Sequence, residues 1–321
     1  MATYKEIHGV KVQYRDSDAT AVEGDVWYNR STGLLKMYSG IGAWASGGTM
    51  VSPRNGSGAA GTQTATIAMG GNPGAGVVAL VENYDGSSWT EIADINTARQ
   101  QNQGTGTSTA AITTGSFGGP STAINESWDG SSWTEVGDLN TARGQGAEVG
   151  TSTAALYFAG NTPPVSAVCE KWNGTAWTEV GDLNTARRYA NGAGATNTAA
   201  LCIGGNTQYP GTTNTANVET WNGTAWTEGA NLTTARFNGG SGGTSTSALM
   251  FGGNVSPNAQ TESYDGSSWT EVADLAVGRA DMMGTASDNT SALAFGGGAT
   301  PNTTAAEEWS FVADIQTVAF D

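Results

Sequence analysis

The sequence predicts an all-β fold assembled from six copies of one four-stranded unit, and three regularities predict it. A tryptophan stands ten residues ahead of an arginine six times, at Trp44 and Arg54, Trp89 and Arg99, Trp133 and Arg143, Trp177 and Arg187, Trp226 and Arg236, and Trp269 and Arg279. The copies start 45, 44, 44, 49 and 43 residues apart, which is the period of a propeller blade and longer than a leucine-rich or ankyrin unit. The 47 glycines recur at fixed places in the unit, so they mark strand ends and turns where an aperiodic set would suggest disorder.

The copy that begins at Arg236 gives the order of elements. A Gly-rich inner strand, 237–243, has small residues that let several strands crowd around an axis. Next comes the apolar run Ser247-Ala248-Leu249-Met250-Phe251, ending at Gly252-Gly253, with counterparts at Gly70-Gly71, Gly118-Gly119, Ala159-Gly160, Gly204-Gly205 and Gly296-Gly297. A third strand carries a glutamate two residues before an aromatic, as in Glu170 and Trp172, which puts both on one face. An Asp-Gly or Asn-Gly turn follows, then the repeat tryptophan on the outer strand, then a link to the next arginine.

The last unit ends at Trp309-Ser310-Phe311 without its own outer strand, while Trp44 is an outer strand without a unit before it. The expectation is therefore a six-bladed β-propeller in which the Trp44 strand completes the last blade and removes an exposed edge. A seven-bladed alternative makes residues 11–48 a full blade and 316–320 its last outer strand. Residues 1–33 are expected to be an attachment segment with a β-hairpin, formed by 25–29 and 34–38 around the turn Arg30-Ser31-Thr32-Gly33, and residues 34–321 the propeller.

Composition excludes several function classes. The net charge is −16 and only 13 residues are basic, six of them the repeat arginines, so no basic patch is left for nucleic acid or anionic membranes. No apolar run reaches membrane-spanning length and no signal peptide is evident. Cys169 and Cys202, each in an apolar run, read as buried thiols. The single histidine, His8, lies outside the repeats, so neither a Ser-His-Asp triad nor a His-rich metal site can be built on them. No cofactor or metal is expected, and no enzyme.

Double glycine after an apolar strand, an acidic residue beside Tyr or Trp, then a further tryptophan, recur in that order over about residues 34–310 and resemble the kelch repeat of β-propellers. The segment Glu23-Gly24-Asp25-Val26-Trp27-Tyr28-Asn29, with Thr32-Gly33-Leu34-Leu35-Lys36-Met37-Tyr38 and Trp44, resembles a stretch common in bacteriophage tail-fibre and other virion proteins. With the Leu-Asn-Thr-Ala-Arg and Trp-Thr-Glu phrases, the chain resembles kelch-like structural proteins of marine phages. That resemblance implies a virion location, many copies per particle, contacts with other virion proteins through the N-terminal segment, and a host-surface glycan or protein as a candidate target. A free lectin-like propeller and, further off, a glycosidase are the alternatives.

Each repeated residue has two readings. The arginines either ring the axis as an anion site or pair with the repeat glutamates, Arg143 with Glu170 or Glu126 for instance; equal numbers of the two favour pairing. The tryptophans are sugar platforms or packing between blades, and their fixed distance from the link favours packing. Asn173-Gly174-Thr175 matches a glycosylation acceptor but reads as a turn. The unequal segments between the glycine pair and the third strand hold seven of the eight prolines and differ in length. They are the expected recognition loops, or loops that have drifted. Asn72, Pro73, Asn161, Tyr209, Asn254 and Asn302 are the candidate ligand contacts, with Tyr209 foremost as an aromatic.

Overall fold

Asx-Gly turns hold the chain where the sequence places them, and strands pair on either side. The computed structural model describes residues 12–18, 26–118, 121–298 and 301–318. Contacts divide the chain into two compact units, a body of Trp44–Trp309 and a smaller unit drawn from Met1–Ala43 and Ser310–Asp321. His8, Pro120 and the segment Glu23-Gly24-Asp25 fall outside the described residues.

The third copy shows how the body is built. Ala147–Thr151, Ala154–Phe158, Cys169–Trp172 and Trp177–Glu179 pair antiparallel in chain order, with Val149 opposite Leu156, Tyr157 opposite Glu170 and Trp172 opposite Trp177. In the turn, Asn173 Oδ1 accepts the backbone N–H groups of Thr175 and Ala176, both at 2.9 Å, and Gly174 takes a φ of +92° that a side chain would resist. Ala155, Leu156, Tyr157 and Phe158 are all buried, because neighbouring sheets cover both faces of this strand. That double cover is why the second strand reads as a continuous apolar run and not as an alternation.

The described strands of the body lie in six sheets. The innermost strands, Gly58–Thr62, Gln103–Thr107, Ala147–Thr151, Asn191–Thr196, Gly240–Thr244 and Met283–Asp288, neighbour one another in chain order, and the last lies beside the first. The body is thus a β-propeller. Core clusters sit between successive sheets: Leu156 and Phe158 of the third pack with Ala200, Cys202 and Trp226 of the fourth. Both cysteines are buried free thiols in that cluster, and burial pushes Cys169 up to about 12 and Cys202 up to about 11.

The glycine pairs tie each sheet to the next. With positive φ at both positions, the second glycine turns its N–H onto the carbonyl of the next sheet's repeat arginine: Gly71 to Arg99, Gly160 to Arg187, Gly205 to Arg236 and Gly253 to Arg279. Gly297 donates in the same way to Arg54, which joins the last sheet to the first at 2.9 Å. In the second copy the expected pair Gly118-Gly119 is corrected by three residues. Gly115, with φ of +66° and packed on the Arg143 carbonyl, holds the position of Gly70, and Ser116 that of Gly71.

The N-terminal copy of the outer strand does complete the last sheet of the body. Residues 44–46 lie beside residues 306–309, Gly47 donates to the Ala306 carbonyl and Met50 to the Thr304 carbonyl, each at 2.9 Å. Trp44 stands 4.9 Å from the Phe251 ring and 5.5 Å from Trp309, and its Nε1 donates to Thr261 Oγ1 at 3.0 Å. Strands within residues 11–48 form no separate sheet among the described residues.

In the smaller unit, Val26–Asn29 pairs antiparallel with the start of Leu34–Ser46, the hairpin the turn residues predict. Asn29 Oδ1 caps the turn by accepting the N–H groups of Ser31 and Thr32. The parallel pairing of Gln13–Arg15 with Val26–Asn29 was not expected; the C-terminal run joins this unit, with Val318 N–H on the Leu35 carbonyl and Lys36 Nζ on Thr317, where the seven-bladed alternative puts it and the division at residue 34 does not. Trp27 anchors the unit, fully buried, with its Nε1 donating to Asp18 at 2.9 Å.

Candidate ligand site at the mouth of the propeller

The repeat arginines and glutamates are used up within the fold. Each arginine pairs with the glutamate that follows it in its own sheet: Arg54 with Glu82, Arg99 with Glu126 at 3.1 Å, Arg143 with Glu170, Arg187 with Glu219, and Arg236 with Glu262 and Arg279 with Glu307, both at 2.9 Å. All twelve are buried. Burial pushes Arg54, Arg99, Arg236 and Arg279 down from the ordinary guanidinium value, and the facing carboxylate opposes the shift. The same glutamates also accept backbone N–H groups of the incoming link, as Glu170 does from Asn140 and Thr141. Of the two partners open to Arg143, the fold selects Glu170.

The outer tryptophans are internal too, five of them buried and Trp44 half-buried. Trp89 packs 4.8 Å from Phe295, Trp226 packs 4.9 Å from Phe158, and Trp133 donates its Nε1 to the Ala93 carbonyl. Trp177 lies with Ile112 and Leu139, and Trp269 with Leu201 and Ile203. With Trp44 on Phe251, every one sits against the preceding sheet. None offers an open face for stacking a sugar.

The candidate loop residues divide into three kinds. Asn72 and Asn302 join the first and last loops, Asn302 Nδ2 donating to the Asn72 carbonyl at 2.7 Å and its Oδ1 accepting from Asn55. Pro73 is half-buried beside them, and Asn254 is exposed, held by its N–H on the Phe237 carbonyl. Asn161 corrects the expectation, being fully buried; its Nδ2 reaches Gln145 Oε1 at 3.3 Å, so it supports a neighbour and does not face solvent. Tyr209 is 37% exposed and lies under the Arg188 guanidinium, 4.7 Å from ring centre to charge.

These loops surround a ring that sequence reasoning passed over. Two residues beyond each repeat arginine stand Gly56, Gln101, Gln145, Tyr189, Asn238 and Asp281, all with φ between +51° and +62°. Each donates its backbone N–H to the carbonyl of the one before: Gln101 to Gly56, Gln145 to Gln101, Tyr189 to Gln145, Asn238 to Tyr189, and Asp281 to Asn238. Gly56 donates to Asp281 at 3.3 Å and closes the circle. The left-handed backbone turns each amide along the circumference and leaves the side chains of Gln101, Gln145, Tyr189, Asn238 and Asp281 lining the mouth. The available signal was positional: a fixed offset from the arginine occupied by six residues of five types, mostly polar.

The ring frames a cavity of about 110 Å³, lined also by Asn102, Asn191, Glu148 and Ser241. Gln145 Nε2 donates to the Tyr189 phenol at 2.7 Å, Asn238 Nδ2 to Asp281 Oδ1. Burial raises the Asp281 carboxyl, opposed by hydrogen bonds from Asn238 and Gln101. Tyr189 packs 5.7 Å from Phe237 with the rings tilted by 40°, and Arg188 lies 5.1 Å over its ring. Gln101, Tyr189, Asn238 and Asp281 are half-buried, so their polar atoms remain within reach from outside.

Deeper in, Glu148 lines this cavity and a wider one of about 340 Å³ beyond it. Its Oε1 accepts from Thr114 at 2.9 Å, and burial pushes its carboxyl from 4.5 up to about 8. Between those values the folded chain holds a proton that the unfolded chain releases, so stability falls as pH rises from about 4.5 to about 8. Glu148→Gln is expected to match the wild type in denaturant midpoint near pH 4 and to exceed it near pH 9. Parallel pH dependences for the two proteins would refute the assignment.

By fold and site the chain is a β-propeller with a polar axial mouth. It is similar to the solved structure of YjhT, with a TM-score of 0.66 and 14% identity over 84% of this chain and 99% of that one. No protein-family model matches the sequence, and no curated protein matches it.

Proposed function

We propose that this chain is a non-enzymatic, kelch-like, six-bladed propeller of a phage particle, in the tail fibre or as a decoration protein. Its loop face recognises a glycan or protein, with host attachment or contact with other virion proteins as the outcome. The reading is carried by one observation: all six arginines and six glutamates of the repeat are consumed in internal pairs, leaving the unequal loops and the mouth they surround as the accessible chemistry. Six sheets whose inner strands and glycine N–H groups close first onto last support the blade count. The tail-fibre-like stretch of residues 23–44 supports attachment through the smaller unit, and copies on one particle would turn weak contacts into avidity. Gradient-purified particles are expected to contain the protein, with antibody labelling placing it on tail, fibre or capsid. Its absence from such particles would sink the virion reading, and glycan binding by the unattached protein would favour a free lectin.

A further inference from the structure

We propose that the axial mouth binds the end of a neutral, hydroxyl-rich saccharide, with Tyr189, Asn238, Asp281 and Gln101 making its hydrogen bonds. The inference rests on the recognition reading above and names its ligand class. No cation is among the residues lining the cavity, so an anionic group entering it meets no counter-charge. Arg188, near the rim, is engaged: it lies over Tyr189 and Tyr209 and donates to the Gly211 carbonyl.

A metal ion is served no better. Asp281 is already an acceptor for Asn238, and the described residues hold no cluster of three His, Cys, Asp or Glu side chains. The mouth mixes donors and acceptors, which suits hydroxyl groups because each hydroxyl does both. Tyr189 accepts from Gln145, so its own O–H remains to donate. Two buried acceptors in the lining, Asn102 Oδ1 and Asn191 Oδ1, take no hydrogen bond from the protein and ask for a donor.

Preorganisation strengthens the case. Asn161 holds Gln145, Gln145 holds Tyr189, and Phe237 fixes the Tyr189 ring, so the donor is set before a ligand arrives. The buried loop residue Asn161 thereby acquires a role as a positioning residue. The cavity takes the edge of one sugar ring, with the rest of the glycan extending over the loops.

The test is calorimetry of the full chain with methyl glycosides of glucose, galactose, mannose and N-acetylglucosamine, beside sialic acid and calcium. At least one neutral glycoside is expected to bind. Tyr189→Phe and Asp281→Asn, each with an unchanged thermal midpoint, should weaken it about tenfold, the equivalent of one lost hydrogen bond. Binding indifferent to both mouth substitutions, or binding only of sialic acid or calcium, would overturn the proposal. If no glycoside binds while labelled protein still adsorbs to host cells, this inference falls and the recognition reading stands; if adsorption also fails, both fall.

Discussion

Glu170→Ala is expected to destabilise the body by about 3–5 kcal/mol, read as a shift of the urea midpoint at neutral pH. The carboxylate faces Arg143 in a fully buried site, and its Oε2 also accepts the Asn140 backbone N–H at 2.7 Å and the Asn140 side-chain amide at 2.8 Å. Removing it strands a buried guanidinium and frees the link that carries the chain from the second sheet into the third. The two losses separate in the double variant Arg143→Met, Glu170→Ala. Removing the stranded charge should recover part of the stability, because buried ion pairs are often replaceable by apolar groups. The part due to the link should remain, because the Asn140 and Thr141 amides still lack their acceptor. Full recovery in the double variant would show that Glu170 acts only as a counter-ion.

Trp44→Ala is expected to cost about 2–4 kcal/mol and to open the last sheet of the body to protease. The indole spans two sheets, meeting Trp309 in its own and Phe251 in the preceding one, and hydrogen-bonds Thr261. Its loss removes aromatic contacts and the side chain that anchors the closing strand. Limited proteolysis followed by mass spectrometry should place the new cleavages near residues 44–50 or 304–309. An unchanged midpoint and digestion pattern would mean that backbone pairing at Gly47 and Met50 closes the ring unaided.

Much of the scaffold was legible because it repeats. Strand order, the Asx-Gly turns, the pairing of arginine with glutamate and the closing role of Trp44 follow from equal spacings and equal counts. The second copy misled because Gly118-Gly119 imitates a glycine pair three residues beyond the position that the fold uses at Gly115. The six-bladed expectation placed the C-terminal run with the propeller because pairing partners outside the repeat leave no periodic trace; the bonds from Val318 to Leu35 and from Lys36 to Thr317 reveal them.

The candidate site was the least legible part. Sequence drew the eye to long loops, which are conspicuous by length, and away from single polar residues one short step past each arginine. Tyr189 and Asp281 lie 92 residues apart in the chain, and nothing local to either says that they share a mouth. By itself the sequence determined the unit and the residues that hold one sheet to the next, since each of those depends on local pattern and a fixed period. Only the tertiary structure decided that six left-handed residues form one hydrogen-bonded circle and that Asn161 is buried beneath it. Closure brings residues from six distant segments to a common axis, and no periodicity along the chain encodes which side chains meet there.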